Sequence, residues 1–227
     1  MLAPFNNNPN MGGVGSAQQM MPVGKSGTIW EILADFRLSL RMMEACASSV
    51  ADGGISCLSG RTAVYRRDIV ADAKFQREFE NETWFGHPLM SGDDKFITRW
   101  IVKNGFDMHF QYHEEATLLT TFKPNWHFLK QLLRWTRNTW RSDFRSLFVD
   151  RAIWCKHPYV AYTMVDKIFN PLTILYGPIV TIYLCLTHSS FPFWMILAAE
   201  VIWILFNRML RLGVHWPRKP LDIVSVP

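Results

Sequence analysis

The sequence predicts an α/β domain, followed by a basic amphipathic helix at a membrane interface and a hairpin of two transmembrane helices. Three observations lead there. Helix-period and strand-period apolar patterns alternate over residues 1–122. Between Lys123 and Lys156 eight Lys/Arg stand against two acids, Asp143 and Asp150, a local excess of +6 that exceeds the +5 of the whole chain. From Ile168 to Ile204 the only formal charge is Glu200.

Asn6 to Gly15 is rich in Asn, Pro and Gly and reads as a loop entering a short strand at Val14–Gln18. A helix follows from Ser26 as N-cap, with Ile29, Leu33, Phe36, Leu40 and Met43 on one face, and Asp52-Gly53-Gly54 ends it. Ile55 to Arg66 reads as two short strand-like pieces bent at Ser59-Gly60, and Lys74 to Phe85 as helix. Asp93 and Asp94 precede Phe96, Ile97, Trp100 and Ile101, which puts both carboxylates in a helix first turn, where the dipole favours negative charge. Met108, Phe110 and Tyr112 alternate with polar residues as a strand does, and Thr117–Phe122 reads as another.

In the basic segment, Lys130, Arg134, Arg137, Arg141 and Arg145 fall within roughly an 80° arc of one helix, with Gln131, Trp135 and Asn138 along its edge. Its apolar side (Phe128, Leu132, Leu133, Phe144) suits a helix lying on anionic lipid, and the guanidinium row beside an indole suits a phosphate-bearing ligand with a ring. Pro171–Thr187 and Phe191–Phe206 are each nearly long enough to cross a hydrocarbon core, with His188-Ser189-Ser190 between them. Basic flanks on both sides place the ends in the cytoplasm. Two buried helices of a soluble protein are the alternative. Glu200 reads as a lateral contact to another helix rather than a functional group. The expected organisation is therefore a catalytic part at 1–122, interfacial helices at 123–167, transmembrane helices at 168–207 and a basic cytoplasmic tail at 208–227.

Composition and motifs exclude much else. At 49% hydrophobic and 14% aromatic, the chain has enough apolar mass for a core, which excludes low-complexity disorder. Met1 to Gly27 lacks the form of a signal peptide. Cys46, Cys57, Cys155 and Cys185 have neither zinc-site nor paired spacing and read as free thiols. The histidines have no metal-ligand spacing, so no metal ligands are assigned. No Walker or dinucleotide loop occurs, and no aromatic-studded sheet accompanies the basic stripe, which argues against nucleic acid. Asp93-Asp94 is the best acid/base pair, although an N-terminal cap alone would account for it. Ser59-Gly60-Arg61 offers close backbone approach and a fixed cation, or else an ordinary tight turn.

The order of these elements carries more than any one of them. Cys57-Leu58-Ser59-Gly60-Arg61-Thr62-Ala63 with Tyr65-Arg66, then Gly92-Asp93-Asp94-Lys95-Phe96-Ile97-Thr98-Arg99-Trp100, then Gln131-x-x-Arg134-Trp135 and paired apolar helices, resembles the processive family 2 glycosyltransferases. Hyaluronan, chitin and cellulose synthases belong to that group, and the similarity is greatest to its fungal, hyaluronan-synthase-like branch. The resemblance implies a GT-A-like fold and inverting transfer of a sugar from a UDP-sugar to a growing glycan, at the plasma membrane with the catalytic part cytoplasmic. It implies Asp94 as general base with Asp93 in support, Gln131 and Arg134 at the nucleotide diphosphate, Trp135 at the acceptor end, and Ser59, Gly60 and Arg61 on the acceptor side.

That family binds Mg2+ or Mn2+ through an Asp-x-Asp motif, which occurs nowhere in this chain. The resemblance therefore implies the acceptor-side half of a synthase, with little activity alone. Two alternatives stay open: a non-processive glycosyltransferase acting on a ceramide-type lipid, and a non-catalytic membrane-associated paralogue.

Overall fold

The computed structural model describes residues 1–23, 28–123, 125–187 and 192–211. The chain divides into two compact units, Met1–Met164 and Val165–Pro227. The first unit is mixed α/β. Its central three-stranded sheet has the order β3-β1-β6, built from β1 (Met11–Ser16), β3 (Ala63–Tyr65) and β6 (Asp107–Gln111). β1 runs antiparallel to β3 and parallel to β6. A second pair, β2 (Gln18–Met20) with β7 (Leu118–Thr120), is parallel, and β4 (Thr83–Trp84) with β5 (His87–Pro88) forms a small hairpin.

Every residue of β1 is buried, and its glycines explain why it can be. A Cβ on Gly13 would stand 2.7 Å from Leu58 Cδ1, and one on Gly15 2.8 Å from Leu58 Cδ2. Leu58 is buried by lying directly on this bare strand. Its backbone N–H donates to Thr98 Oγ1 at 2.9 Å, and Thr98 Oγ1 donates in turn to the Asp94 carbonyl at 2.7 Å. The segment before Ser59-Gly60 is thereby fastened to the first turn of α5 (Asp93–Lys103).

Several boundaries differ from the sequence expectation. A short helix, α1 (Ala3–Asn7), precedes β1, which begins at Met11 rather than Val14. α2 (Ile29–Asp52) starts at Thr28, whose hydroxyl accepts from the Glu31 N–H while the Glu31 carboxylate accepts from the Thr28 N–H. Ser26, the expected cap, lies outside the described residues. Gly53, in the left-handed region at φ 72°, ends the helix as its Asp-Gly-Gly signal indicates. The buried face carries Ala34, Phe36, Leu38 and Ala45, and Leu33 is exposed. The buried Glu31 fixes this rotation, because its carboxylate must reach the N-terminal backbone. Residues 55–62 hold no strand, since they follow the Leu58 and Thr98 contacts instead of a ladder. After α3 (Arg67–Val70), the helix expected to Phe85 is α4 (Ala73–Glu80), and the chain turns into the hairpin.

α6 (His127–Phe144) continues as a π-helical turn over Arg145–Asp150 and leads to α7 (Ala152–Lys156). α5 is joined to this region by Lys95, whose Nζ lies 2.9 Å from Asp143 Oδ1, and by Arg99, which bridges Glu82 at 2.5 Å and Asp150 at 3.0 Å. α8 (Pro158–Thr187) runs into the second unit, which also contains α9 (Phe193–Arg211).

The expected transmembrane hairpin is corrected. Among the described residues no helix is long and apolar enough to cross a membrane. Pro171, Gly177 and Pro178 interrupt the apolar run of α8, and Glu200 that of α9. Glu200 is a lateral contact: its Oε2 accepts from Thr181 Oγ1 at 2.7 Å, and Gly177 leaves the space for its carboxylate. The expected turn at His188-Ser189-Ser190 and the tail beyond Arg211 lie outside the described residues.

Candidate functional site

The site grows from the N-terminus of α5. Gly92, at φ 102°, turns the chain so that Asp93 and Asp94 open the helix. The Lys95 N–H donates to Asp94 Oδ1 at 2.8 Å, which fixes one carboxylate oxygen. The Ser59-Gly60-Arg61 loop lies against this turn. A Cβ on Gly60 would stand 3.8 Å from Asp94 Cβ and 3.9 Å from Asp93 Oδ2. The two motifs, over thirty positions apart in sequence, are neighbours.

Arg61 extends the site toward α6. Its guanidinium donates to Thr120 Oγ1 and lies over the Phe122 ring at 5.0 Å. Phe122 in turn meets Trp135 edge to face at 5.9 Å. Trp135 is half-buried and packs on the cluster of Met20, Ala34, Leu38, Phe122 and Phe128. Its tryptophan is therefore anchored in the core by one edge. At the other end, Ser91 Oγ donates to Asn138 Oδ1 at 3.2 Å, so the turn before the aspartates also touches α6.

The five cations of the basic helix divide by partner. Arg145 pairs with Glu82 at 3.1 Å and donates to the Thr83 carbonyl. Arg141 donates to Asn138 Oδ1, and Lys130 sits 4.6 Å over the Trp126 ring. Arg134 and Arg137 are exposed and form no hydrogen bond or ion pair among the described residues. Gln131 is half-buried and likewise has none there. The amide and two guanidinium groups are thus unspent donors on one stretch of α6.

Three further residues belong to the site and were not singled out for chemistry in the sequence. The Cys57 thiol donates to the Leu58 carbonyl at 3.6 Å; burial, with Asp94 beside it, pushes it up to about 11. Among the described residues the buried Tyr65 hydroxyl has no partner. Burial first, then the Cys57, Asp94 and Asp93 charges, raise it well above an ordinary phenol. Arg41 of α2 reaches the Cys57 carbonyl with Nη2 at 3.5 Å and is felt electrostatically at both Cys57 and Tyr65. A repeat of arginine at Arg37 and Arg41, one helical turn apart, was the available signal.

Metal fit can be tested on the donors present. Among the described residues no group of three or more His, Cys, Asp or Glu converges to hold an ion. Asp93 and Asp94 alone do not make the oxygen cage that Mg2+ or Mn2+ needs. A concavity of about 330 Å3, open to solvent, lies beside Lys95, Arg99, Ser142 and Asp150, and neither Asp93 nor Asp94 lines it. Its walls carry the ion pairs that join α5 to α6, so its role is structural.

A family profile described as "Glycosyltransferase like family 2" matches residues 1–138, which include Ser59 to Arg61, Asp93, Asp94 and Gln131 to Trp135. Over its whole length the chain is 35% identical to a "Type 2 glycosyltransferase" of Zymoseptoria tritici and 34% identical to one of Pyricularia oryzae. It covers 49% and 48% of those proteins, so it spans about half the length of these curated relatives. An "N-acetylglucosaminyltransferase" of Rhizobium meliloti is 28% identical over 81% of the chain and 42% of its own length. With the fold, the motif order and the profile in agreement, the chain belongs to glycosyltransferase family 2.

Proposed function

We propose that this chain forms the acceptor and leaving-group side of a polysaccharide synthase that uses a UDP-sugar and inverts the anomeric carbon. The observation that carries the proposal is Gly60 packed against Asp93 and Asp94, with Arg61 leading through Phe122 to Trp135. A bare backbone beside a carboxylate leaves room for an acceptor sugar. In the transfer, Asp94 takes the acceptor hydroxyl proton as that oxygen bonds to the anomeric carbon. The bond from that carbon to the diphosphate oxygen breaks in the same displacement. Arg134 and Arg137 offset the charge on the departing diphosphate, a task suited to guanidinium groups with no internal partner. Asp93 orients the acceptor. A divalent ion would assist the same leaving group in this family, but among the described residues no cluster fits one.

A membrane surface is proposed as the setting. α6 exposes Leu133, Trp140 and Phe144 close to Lys130, Arg134 and Arg137, the composition of an interfacial helix. Flotation with anionic, but not neutral, vesicles is the expected result.

The activity is tested by sugar incorporation from radiolabelled UDP-sugars, using this chain and a version extended upstream of Met1. Where transfer is seen, Asp94→Asn is expected to abolish it while UDP binding persists. Unchanged turnover removes Asp94 as the base. A single-sugar lipid product in place of a polymer would favour the ceramide-type reading.

A further inference from the structure

Arg37 and Arg41 of α2 and Arg61 of the Ser59-Gly60-Arg61 loop stand on two separate segments, with Arg41 close enough to act on both of the others. Arg37 and Arg41 are one turn apart on α2 and so share a side of it. Arg41 reaches the Cys57 carbonyl, four residues before Arg61. The Arg41 charge acts on both of the others. Desolvation first, and then Arg41, lowers the proton affinity of Arg37 and of Arg61. Among the described residues none of the three forms an ion pair. Glu44 partly offsets Arg37, and it also accepts from Ser56 Oγ. Asp93 and Asp94 adjoin Gly60, next to Arg61 in the chain.

Like charges gathered in this way repel. Arg41 spends one donor on a carbonyl, Arg61 one on Thr120, and Arg37 none. Each guanidinium keeps most of its five N–H groups for another acceptor. Arg61 is also fixed in place, by Thr120 on one side and the Phe122 ring beneath. These donors are separate in residues from Arg134 and Arg137 of α6.

We propose that Arg37, Arg41 and Arg61 form an acceptor subsite for a negatively charged sugar chain, whose carboxylate or phosphate groups these guanidinium groups hold while Asp94 faces its terminal hydroxyl. The subsite rests on the reading of the site as a glycan acceptor site. It deepens that reading by selecting an anionic acceptor over a neutral one.

The test is direct binding by the 227-residue chain, followed by equilibrium dialysis. The probes are an oligogalacturonate, a phosphorylated gluco-oligosaccharide, a neutral cello-oligosaccharide and UDP. At least one acidic probe is expected to bind about tenfold or more tightly than the neutral one, and less tightly as salt rises. The oligogalacturonate and phosphorylated arms tell carboxylate from phosphate. Arg37→Gln, Arg41→Gln and Arg61→Gln are each expected to weaken acidic-sugar binding about tenfold, with lysine at the same positions restoring part of it. UDP binding should persist in all of them. Equal binding of acidic and neutral probes overturns the subsite. So does unchanged acidic-sugar binding in the glutamine variants. Loss of UDP binding in Arg41→Gln would assign the face to the donor instead and also overturn it. Failure of the glycosyltransferase reading shows separately, as absence of sugar transfer from UDP-sugars by the version extended upstream of Met1.

Discussion

Lys95 and Asp143 make the most demanding test of how the two sides of the site are held together. The side chains are 8% and 1% exposed, and their contact at 2.9 Å joins the helix of Asp93 and Asp94 to the helix of Gln131, Arg134 and Trp135. Lys95 also donates to the Ser56 carbonyl at 3.1 Å, while the buried Asp143 Oδ2 has no partner among the described residues. The pair is therefore incompletely satisfied, and its net worth is small compared with the cost of breaking it. Asp143→Ala leaves a buried ammonium with only a carbonyl, a loss of about 3–5 kcal/mol. For a unit of this size, that lowers Tm by about 6–20 °C. Replacing both groups, Lys95→Met with Asp143→Leu, removes both charges and should recover most of the loss, less about 1 kcal/mol for the unpaired Ser56 carbonyl. The assay is thermal unfolding by circular dichroism on the single and double variants. Burial works against the Lys95 ammonium, yet Asp143 and its other neighbours together hold its proton affinity above the ordinary value of 10.5. A raised folded value stabilises fully below 10.5, and this contribution is lost as pH climbs through the folded value. Stability of the unaltered chain should thus fall in that alkaline window more steeply than that of the double variant. A single variant melting within about 2 °C of the parent, under 1 kcal/mol at this size, would refute the reasoning.

Three further outcomes follow from local geometry. Thr28→Ala removes the hydroxyl half of the capping box and should cost about 0.5–2 kcal/mol in urea unfolding. The Thr28 backbone hydrogen bond is the largest cause holding the Glu31 carboxyl below its usual value, against burial. That contribution is present above the ordinary 4.5 and is lost as pH falls through the lower folded value, and Glu31→Gln should flatten this acid limb. Cys57, with its thiol raised to about 11, should resist iodoacetamide at pH 8 while exposed Cys155 is modified, as read by peptide mass spectrometry. Equal labelling of the two would show that burial, with Asp94 beside it, does not hold the Cys57 thiol up.

Much of the candidate site was legible in the sequence because each motif carries its own local geometry. Gly92 before two aspartates and an i, i+4 apolar pattern can only start a helix with its acids at the dipole's positive end. Strand alternation at Met108 and Phe110, and the break at Gly53, are also properties of adjacent residues. Alternating strands and helices established the mixed α/β class, and the motif order pointed to glycosyltransferase family 2, which the profile match establishes.

Tertiary structure decided what those pieces do to one another. A helical wheel puts Lys130, Arg134, Arg137, Arg141 and Arg145 on one side, but Glu82 and Asn138 occupy Arg145 and Arg141, leaving Arg134 and Arg137 without an ion pair or hydrogen bond among the described residues. The wheel for α2 gave Leu33 as core, whereas the buried carboxylate of Glu31 sets the rotation otherwise. Lys95 meets Asp143 at a separation of 48 residues, and Gly60 meets Asp94 only because Leu58 lies on the bare glycines of β1. Charge, periodicity and breaker residues are properties of a short stretch of chain, so the sequence determines them alone. Which cation keeps its donors free depends on the partner that packing brings to it, and that partner is chosen by the fold.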